Sequence, residues 1–276
     1  MKNIVRGLLA ASALAGAFVA APAFAEDAPS DFTITGSATV ASQYRFRGLS
    51  QSNNEPVVQG SVTVTHSSGL YAGVWGSSAG TSDFNNSPID IGGTEIDVFA
   101  GYSTTLAGVT LDGGVYGYLY PSYGQGANGQ SAGLTKNAGN YYELYASVAK
   151  AYGPVKGKLG INFAPAQNVF NYAVYSGTRS NTYVYGELSS AIPGTPLSVH
   201  GHVGYTAGGF DYIKPYVDYS VGVSASWKAL TLDASFVGTD ITRSRVDSYW
   251  CGFNCGDNYD YRPAKPVGVV SLTAAF

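Results

Sequence analysis

The chain has 276 residues, of which 12% are charged and 13% aromatic, with 36 glycines and a formal net charge of −3. Average soluble domains carry about 25% charged residues, so half of the usual solvating charge is missing. A mean hydropathy of +0.01 is nevertheless too polar for a bundle of transmembrane helices. The mild negative charge gives no support for a nucleic-acid partner. Twenty-two tyrosines and few strong helix formers favour β structure, either a soluble sandwich or a membrane barrel.

The N-terminal segment is typical of a secretory signal peptide. Lys2 and Arg6 precede an apolar stretch that ends in the small-residue motif Ala23-Phe24-Ala25. A retained membrane anchor is the alternative, which Pro22 and the cleavage motif disfavour. The predicted organisation is a signal peptide at 1–25, a short periplasmic segment at 26–32 and an outer-membrane barrel at 33–276.

Polar and apolar residues alternate along most of the remaining chain, as in strands whose two faces meet different surroundings. From Thr33 to Arg47 the odd positions are mostly polar and the even positions largely apolar. Twelve segments show this pattern, near 33–47, 58–65, 69–78, 95–103, 109–119, 142–148, 155–163, 183–188, 197–205, 217–227, 230–236 and 270–276. The phase of 69–78 stays ambiguous, because Tyr71 and Trp75 alternate with Leu70 and Val74.

The predicted connections alternate strictly between short and long. The short ones are 66–69, 104–108, 152–154, 191–196 and 228–229, and the long ones are 48–55, 79–93, 121–140, 165–180, 207–214 and 240–264. Outer-membrane barrels have short periplasmic turns and longer external loops, whereas a soluble sandwich has no reason to sort its loops in this way. The sequence therefore predicts an all-β, transmembrane, antiparallel up-and-down barrel of twelve strands with both ends in the periplasm.

Aromatic residues are predicted to form two belts on the lipid-facing side. Those at the loop ends of strands are Tyr44, Phe46, Tyr142, Phe163 and Tyr205, and those at the turn ends are Tyr102, Trp227 and Phe276. The alternation that ends at Phe276 also resembles the C-terminal assembly signal of bacterial outer-membrane proteins. The expected partners are therefore outer-membrane lipid and the barrel-assembly machinery.

The first hundred residues carry a more specific resemblance. Its motifs are the stretch from Ser42 to Gln51, which contains Tyr44-Arg45-Phe46-Arg47-Gly48-Leu49-Ser50, together with Pro56–Gly60, Tyr71–Gly76 and Glu95–Asp97. These motifs resemble the TorF-type porin family of bacterial outer membranes, in which a Tyr-x-Phe-Arg-Gly-x-Ser stretch opens the barrel. The second half of the chain matches mainly in pattern. The resemblance implies a barrel in the outer membrane of a Gram-negative bacterium and, less directly, a diffusion channel.

The inward face is predicted to carry the selectivity residues. Arg45, Arg47, Glu95, Asp97, Glu143 and Asp218 are placed near the outer mouth, His200 and His202 midway, and Asp112, Lys156, Lys158, Glu187 and Asp233 toward the periplasm. Such charges require a wet interior or close pairing. A wet interior predicts passive diffusion of small hydrophilic solutes or ions, with weak cation preference. Alternatively, Arg45 and Arg47 bridge to the acids and close the bore, which leaves a structural or surface-binding barrel.

Enzymatic and cofactor sites are not expected. Gly76-Ser77-Ser78-Ala79-Gly80 matches a nucleophile-elbow pattern, but here it runs from a strand into a loop. An outer-membrane phospholipase arrangement would need an outward Ser and His, and His66 is the only histidine with outward phase. Although His200 and His202 could hold a metal with Asp218, the lining of a polar lumen is the favoured interpretation. We expect no enzyme activity, no cofactor and no metal.

Cys251 and Cys255 are predicted to form a disulfide within a loop, because exported proteins meet oxidising surroundings. A metal site would need further ligands, and a thiol redox centre usually has two intervening residues rather than three. A homo-oligomer is compatible with the sequence, but no pattern specifies an interface. The long loops at 123–140 and 249–261 either cap the barrel, fold into it or bind surface ligands.

Overall fold

The structure, a computed structural model, describes residues 31–80, 91–121, 139–167, 169, 179–211, 214–250 and 261–276. The predicted signal peptide and the Cys251–Cys255 pair lie outside the described residues. The described part of the chain is almost entirely β structure, with one α-helix, α1 (Arg243–Trp250), and a 3₁₀ turn at Arg262–Ala264. Among these residues, no helix combines the length and apolar character that crossing a bilayer requires.

Twelve long antiparallel strands close into a single barrel, as the sequence predicted. The strands are β1 (Phe32–Ala41), β4 (Val57–His66), β5 (Leu70–Ser78), β6 (Thr94–Leu106), β7 (Val109–Leu119), β8 (Tyr141–Tyr152), β9 (Val155–Ala164), β10 (Asn181–Ala191), β11 (Leu197–Gly208), β12 (Tyr216–Trp227), β13 (Leu230–Thr239) and β14 (Val267–Ala275). Among the described residues, two further strands of two residues each, β2 (Arg45–Phe46) and β3 (Leu49–Ser50), pair with each other. The barrel closes where β1 pairs with β14.

The alternating sequence determines which residues face outward. Ile34, Leu159 and Val221 are 67%, 65% and 60% exposed on the outer surface, and their polar neighbours in sequence point into the barrel. A belt of exposed aliphatic side chains is unfavourable in water and matches a hydrocarbon environment. The inward and outward sets are fixed by the register, since a slip of one residue would exchange the two faces.

Tight turns join the strands at one end of the barrel, called here the turn end, and long segments join them at the other, the loop end. At the turn between β6 and β7, Ala107 and Gly108 have φ values of 51° and 75°. Positive φ at both central residues is the conformation of a type I′ turn, whose twist matches that of the paired strands. The predicted alternation of short and long connections is confirmed.

The structure resolves the phase of β5, which the sequence left open. Tyr71 is 7% exposed and faces inward, whereas Leu70 and Val74 are 58% and 49% exposed. The Tyr71 ring lies over Gly101 of β6, where a Cβ atom would come within 2.6 Å of its Cζ atom. The absence of a side chain at Gly101 therefore lets this large ring lie flat against the inner wall.

The first strand is shorter than predicted. β1 ends at Ala41, and residues 43–54, called here the inner hairpin, fold into the lumen at the loop end. The prediction that Tyr44 and Phe46 belong to the outer belt is wrong, because Tyr44 is 2% exposed and Phe46 packs in the interior. The remaining six belt residues are exposed by 41% to 66%: Tyr142, Phe163, Tyr205, Tyr102, Trp227 and Phe276.

Candidate functional site

The tip of the inner hairpin crosses the lumen at the loop end. Arg47 and Gly48 form its two-residue turn with φ values of 47° and 78°. A Cβ atom at Gly48 would lie 2.6 Å from Thr239 Cγ2 and 2.9 Å from Asp218 Cβ. The tip therefore sits against β12 and β13, and glycine is required there both for its backbone conformation and for its lack of a side chain.

Arg45 anchors the base of the hairpin, with a residue exposure of only 4%. Its guanidinium donates to the carbonyl oxygens of Pro263 at 2.6 Å and Gly48 at 3.1 Å. It also donates to Gln43 Oε1 at 2.6 Å and Asn54 Oδ1 at 2.8 Å. Burial lowers the pKa of Arg45 to about 10, so the side chain stays charged at neutral pH. One buried cation thus joins the hairpin to the segment before the last strand.

Arg47 forms an ion pair with the far wall of the barrel. Its Nη2 atom donates to Glu143 Oε2 on β8 at 2.6 Å, and the two side chains are 4% and 0% exposed. Burial alone would lower the pKa of Arg47, but the Glu143 carboxylate raises the net pKa above its ordinary value. The backbone of Arg47 is held as well, because Tyr216 donates its hydroxyl to the Arg47 carbonyl at 3.1 Å.

Aromatic rings surround the Arg47 guanidinium. Its Cζ atom lies 4.3 Å from the ring centre of Tyr183, 4.7 Å from that of Phe46 and 5.9 Å from that of Phe210. A buried guanidinium over ring faces gains a cation–π attraction of about 2 kcal/mol. We call Glu143, Tyr183, Phe46 and Phe210 the cation cage.

Two more acids lie buried beside the hairpin. Glu95 and Asp97 on β6 are each 1% exposed, and Glu95 Oε2 and Asp97 Oδ1 have no hydrogen-bond partner among the described residues. The Tyr44 phenol is nearby, and its pKa is raised by burial and by these two carboxylates. Tyr44 also packs edge-on against Trp75, with ring centres 5.4 Å apart. The loop end of the lumen is therefore acidic and rich in tyrosine.

Midway along the lumen, the two predicted histidines lie in separate acid-paired groups. His202 Nε2 is 3.0 Å from Asp218 Oδ1, and its Nδ1 is 3.7 Å from Glu187 Oε1. His200 Nε2 is 2.6 Å from Asp233 Oδ2. In the part of the chain that the structure describes, no group of three or more potential metal ligands converges.

The turn end of the lumen is more open. Thr33 and Thr35 face inward from β1 and are exposed, as is the inward Lys156 on β9. Serine and threonine hydroxyls also pair between adjacent strands, as in Ser37 with Ser61 at 2.8 Å. Lys158 is buried and lies over Tyr185, with its Nζ atom 5.3 Å from the ring centre. The lumen is thus filled at the loop end and accessible at the turn end, where hydroxyl groups line a vestibule.

Comparison with known families shows which family the chain belongs to. Residues 25–260 match a family described as a bacterial protein of unknown function, Gcw_chp. The chain belongs to this family. No curated protein matches this Gcw_chp chain.

A solved porin structure supports the fold of the Gcw_chp chain. A NanC porin is similar with a TM-score of 0.52 at 10% identity, over 88% of this chain and 99% of the porin. An outer membrane channel from Pseudomonas putida F1 has a TM-score of 0.48 at 12% identity, over 92% of this chain and 99% of the channel. Identities this low concern the barrel fold alone. The resemblance to the TorF-type family stays a prediction.

The thirteen residues of the Gcw_chp chain that were predicted to face the lumen are directed inward, but two of them stand on a different element. Arg45 and Arg47 belong to the inner hairpin rather than to β1. Tyr183 of the cage was not predicted from the sequence, nor were Tyr118 and Asn162, which donate hydrogen bonds to Glu143. The glycine after Arg47, between alternating residues, is the one signal of a two-residue hairpin turn in this stretch.

Proposed function

We propose that this chain is a porin-like channel in the outer membrane of a Gram-negative bacterium. In this proposal, small hydrophilic solutes or ions diffuse passively through the barrel, and the inner hairpin forms its constriction. The turn end faces the periplasm and the loop end faces outward, as in barrels whose short turns are periplasmic. The outer surface meets lipid, and Phe276 acts as the signal to the assembly machinery.

The outer surface supports the location. Aliphatic side chains such as Val58 and Leu188 are 61% and 59% exposed, and amphipathic rings such as Tyr205 and Trp227 flank them at the two ends. A soluble protein rarely exposes so continuous an apolar surface, whereas a barrel in lipid requires one.

The interior of the barrel supports passive transport. The single observation that carries the proposal is that the lumen is accessible at the turn end and filled by the hairpin at the loop end. Thr33 and Thr35 are exposed although they face inward, so water reaches the interior from the turn end. At the loop end, the hairpin is one connection between strands rather than part of the wall, since β1 and β4 pair directly without it. Because this constriction is a connection between two strands, it can be removed without breaking the wall of the barrel.

A preference for cations follows from the charges at the loop end. The buried acids Glu95, Asp97, Glu143 and Asp218 outnumber Arg45 and Arg47. Fixed carboxylates along a narrow path favour cations over anions. Both arginines belong to the hairpin, so its removal takes two cations from the loop end and leaves Glu143 without its ion-pair partner.

Conductance in a planar lipid bilayer tests the proposal. The informative variant replaces residues 43–54 with Asn-Gly, which leaves a short loop between Ala41 and Val57, two residues already paired in register. We expect small single-channel steps from the unmodified barrel and steps several times larger from this variant. In a KCl gradient, the reversal potential of the variant should shift toward the K⁺ equilibrium potential. Liposome swelling with graded sugars should give a larger size limit for the variant than for the unmodified barrel.

A closed barrel without transport is the second candidate. The buried Arg47–Glu143 ion pair and the anchoring of Arg45 favour it, because both hold the hairpin in place. This candidate predicts silence from the unmodified barrel, even where the hairpin replacement conducts. Silence of the unmodified barrel, when it is folded and inserted, would reject the channel.

A further inference from the structure

The contact between Arg47 and Glu143 leaves one hydrogen-bonding atom of each side chain unused. Only Arg47 Nη2 bonds to the carboxylate, through Glu143 Oε2 at 2.6 Å. Arg47 Nη1 and Glu143 Oε1 are both buried, and neither has a hydrogen-bond partner within the described ranges. Guanidinium and carboxylate groups gain most from two parallel hydrogen bonds. The cage therefore holds its occupant in a geometry that is poorer than the two groups allow.

The backbone of the hairpin accounts for this mismatch. Arg47 has a φ of 47°, in the left-handed region that is unfavourable for residues other than glycine, asparagine and aspartate. Tyr216 fixes the Arg47 carbonyl, and the next residue, Gly48, lies against β12 and β13. The side chain consequently approaches Glu143 from a constrained direction. A guanidinium without this covalent link has the freedom to align with both carboxylate oxygens.

The barrel strands supply two of the four members of the cage, Glu143 on β8 and Tyr183 on β10. Glu143 Oε2 is oriented by Tyr118 at 3.2 Å and Asn162 Nδ2 at 3.1 Å, both on neighbouring strands. The Tyr183 ring is held by its hydroxyl, which donates to Asp218 at 3.1 Å. Asp218 Oδ2 is a further buried oxygen without a hydrogen-bond partner among the described residues. None of these hydrogen bonds to Glu143 and Tyr183 involves Arg47.

We infer that the cation cage is a binding site for solutes that bear a guanidinium or amidinium group, and that Arg47 occupies it as an internal surrogate. A planar, weakly hydrated cation suits a site with one carboxylate and facing rings better than a compact ammonium ion does. The inference deepens the proposed function, on which it rests for the entry of solutes into the lumen. It assigns the cage as the step at which the channel would select its solute.

Chemical rescue of an Arg47→Ala variant tests the inference. The purified variant is titrated with methylguanidinium chloride in detergent, and the midpoint of thermal unfolding is followed by aromatic fluorescence. We expect a saturable rise of about 2–4 °C at millimolar concentrations, well below those that denature proteins. Calorimetry should show the same saturation. In the unmodified barrel, methylguanidinium has to displace Arg47 from the cage, so the same rise should need a higher concentration.

Two controls make the outcome specific. The double variant Arg47→Ala with Glu143→Gln lacks the carboxylate and should show no rescue. Tetramethylammonium chloride at equal ionic strength should not replace methylguanidinium. Equal responses of the single and double variants, or no saturable response of the single variant, would overturn the inference. If Arg47→Ala refolds poorly, the refolded fraction with and without methylguanidinium is measured instead, and Arg47→Gln provides a second variant.

The outcome is separable from that of the proposed function. Binding in detergent needs no conduction, so rescue together with silent bilayers would keep the site and reject the channel. A conducting barrel without rescue would do the reverse.

Discussion

Arg45 and Pro263 are joined by a 2.6 Å hydrogen bond although 218 residues separate them in sequence. The donor belongs to the first connection of the barrel and the acceptor carbonyl to the last one. Because β1 and β14 are neighbours in the closed barrel, these two connections leave the wall side by side. Closure of the barrel therefore creates the anchoring point of the hairpin, which no local segment could form alone.

Replacing this anchor should destabilise the loop end. Arg45→Ala leaves the carbonyl oxygens of Gly48 and Pro263 without their charged donor in a buried site. We expect a loss of about 2–4 kcal/mol in the free energy of unfolding. Urea unfolding in detergent, followed by aromatic fluorescence, measures it.

Arg243→Ala is the matched control for Arg45→Ala. Arg243 is an exposed arginine on α1 and pairs with Asp247, four residues later, at 3.2 Å. Its replacement should change stability by less than about 0.5 kcal/mol. Similar losses for the two variants would contradict the anchoring role of Arg45.

The ion pair across the lumen should show strong coupling between its partners. Glu143→Gln leaves the buried Arg47 cation without a counter-charge, and we expect it to cost about 3–5 kcal/mol. The double variant Glu143→Gln with Arg47→Met removes both charges and should recover most of that loss. Unfolding of the single and double variants forms a double-mutant cycle, and simple additivity would show that the pair is not coupled.

The sequence was sufficient for the barrel because every spanning strand separates lipid from lumen. That separation imposes a period of two, and the lengths of the connections then give the orientation. Valine and isoleucine at outward positions such as Val40 and Ile161 made the phase clear. At β5 the signal failed, because Tyr71 and Trp75 are as hydrophobic as the lipid-facing residues and yet pack inside the lumen.

The inner hairpin was not predicted because its alternation continues that of β1. Arg45 and Arg47 keep the polar phase of Thr39, although the chain has left the wall after Ala41. Polar and apolar residues alternate in both elements for different reasons: the wall divides lipid from lumen, whereas the hairpin divides ion-pairing groups from aromatic rings. The sequence therefore predicted which charged residues face the lumen, but it did not predict how they are arranged. The arrangement could not be predicted because the cage needs residues from four separate elements.

The hairpin tip should be sensitive to one added methyl group. Gly48→Ala places a Cβ atom 2.6 Å from Thr239 Cγ2 at a residue whose φ is +78°. We expect about 1–2 kcal/mol from the left-handed backbone and a further 1–3 kcal/mol from overpacking. Single-channel conductance should rise as the tip is displaced from the wall.

A variant at Gly108 separates the backbone contribution to the stability loss of Gly48→Ala from the overpacking contribution. Gly108 has a φ of +75°, nearly that of Gly48, but a Cβ atom there would meet no atom within 4 Å. Gly108→Ala should therefore lose only the backbone contribution and leave conductance unchanged. If the two alanine variants unfold with the same free energy, the tip does not pack against the wall as described.

Water should reach the inner wall at the turn end. Thr35 faces the lumen and is exposed, whereas Val62, one register position away on β4, faces outward and is 41% exposed. We expect Thr35→Cys, in a Cys251→Ser and Cys255→Ser background, to react many times faster than Val62→Cys with a charged thiol reagent in proteoliposomes. A thiol in hydrocarbon cannot form the reactive thiolate, whereas one in a wet vestibule can. Mass spectrometry after timed quenching gives both rates, and faster modification of the outward position would reverse the assignment of the two faces.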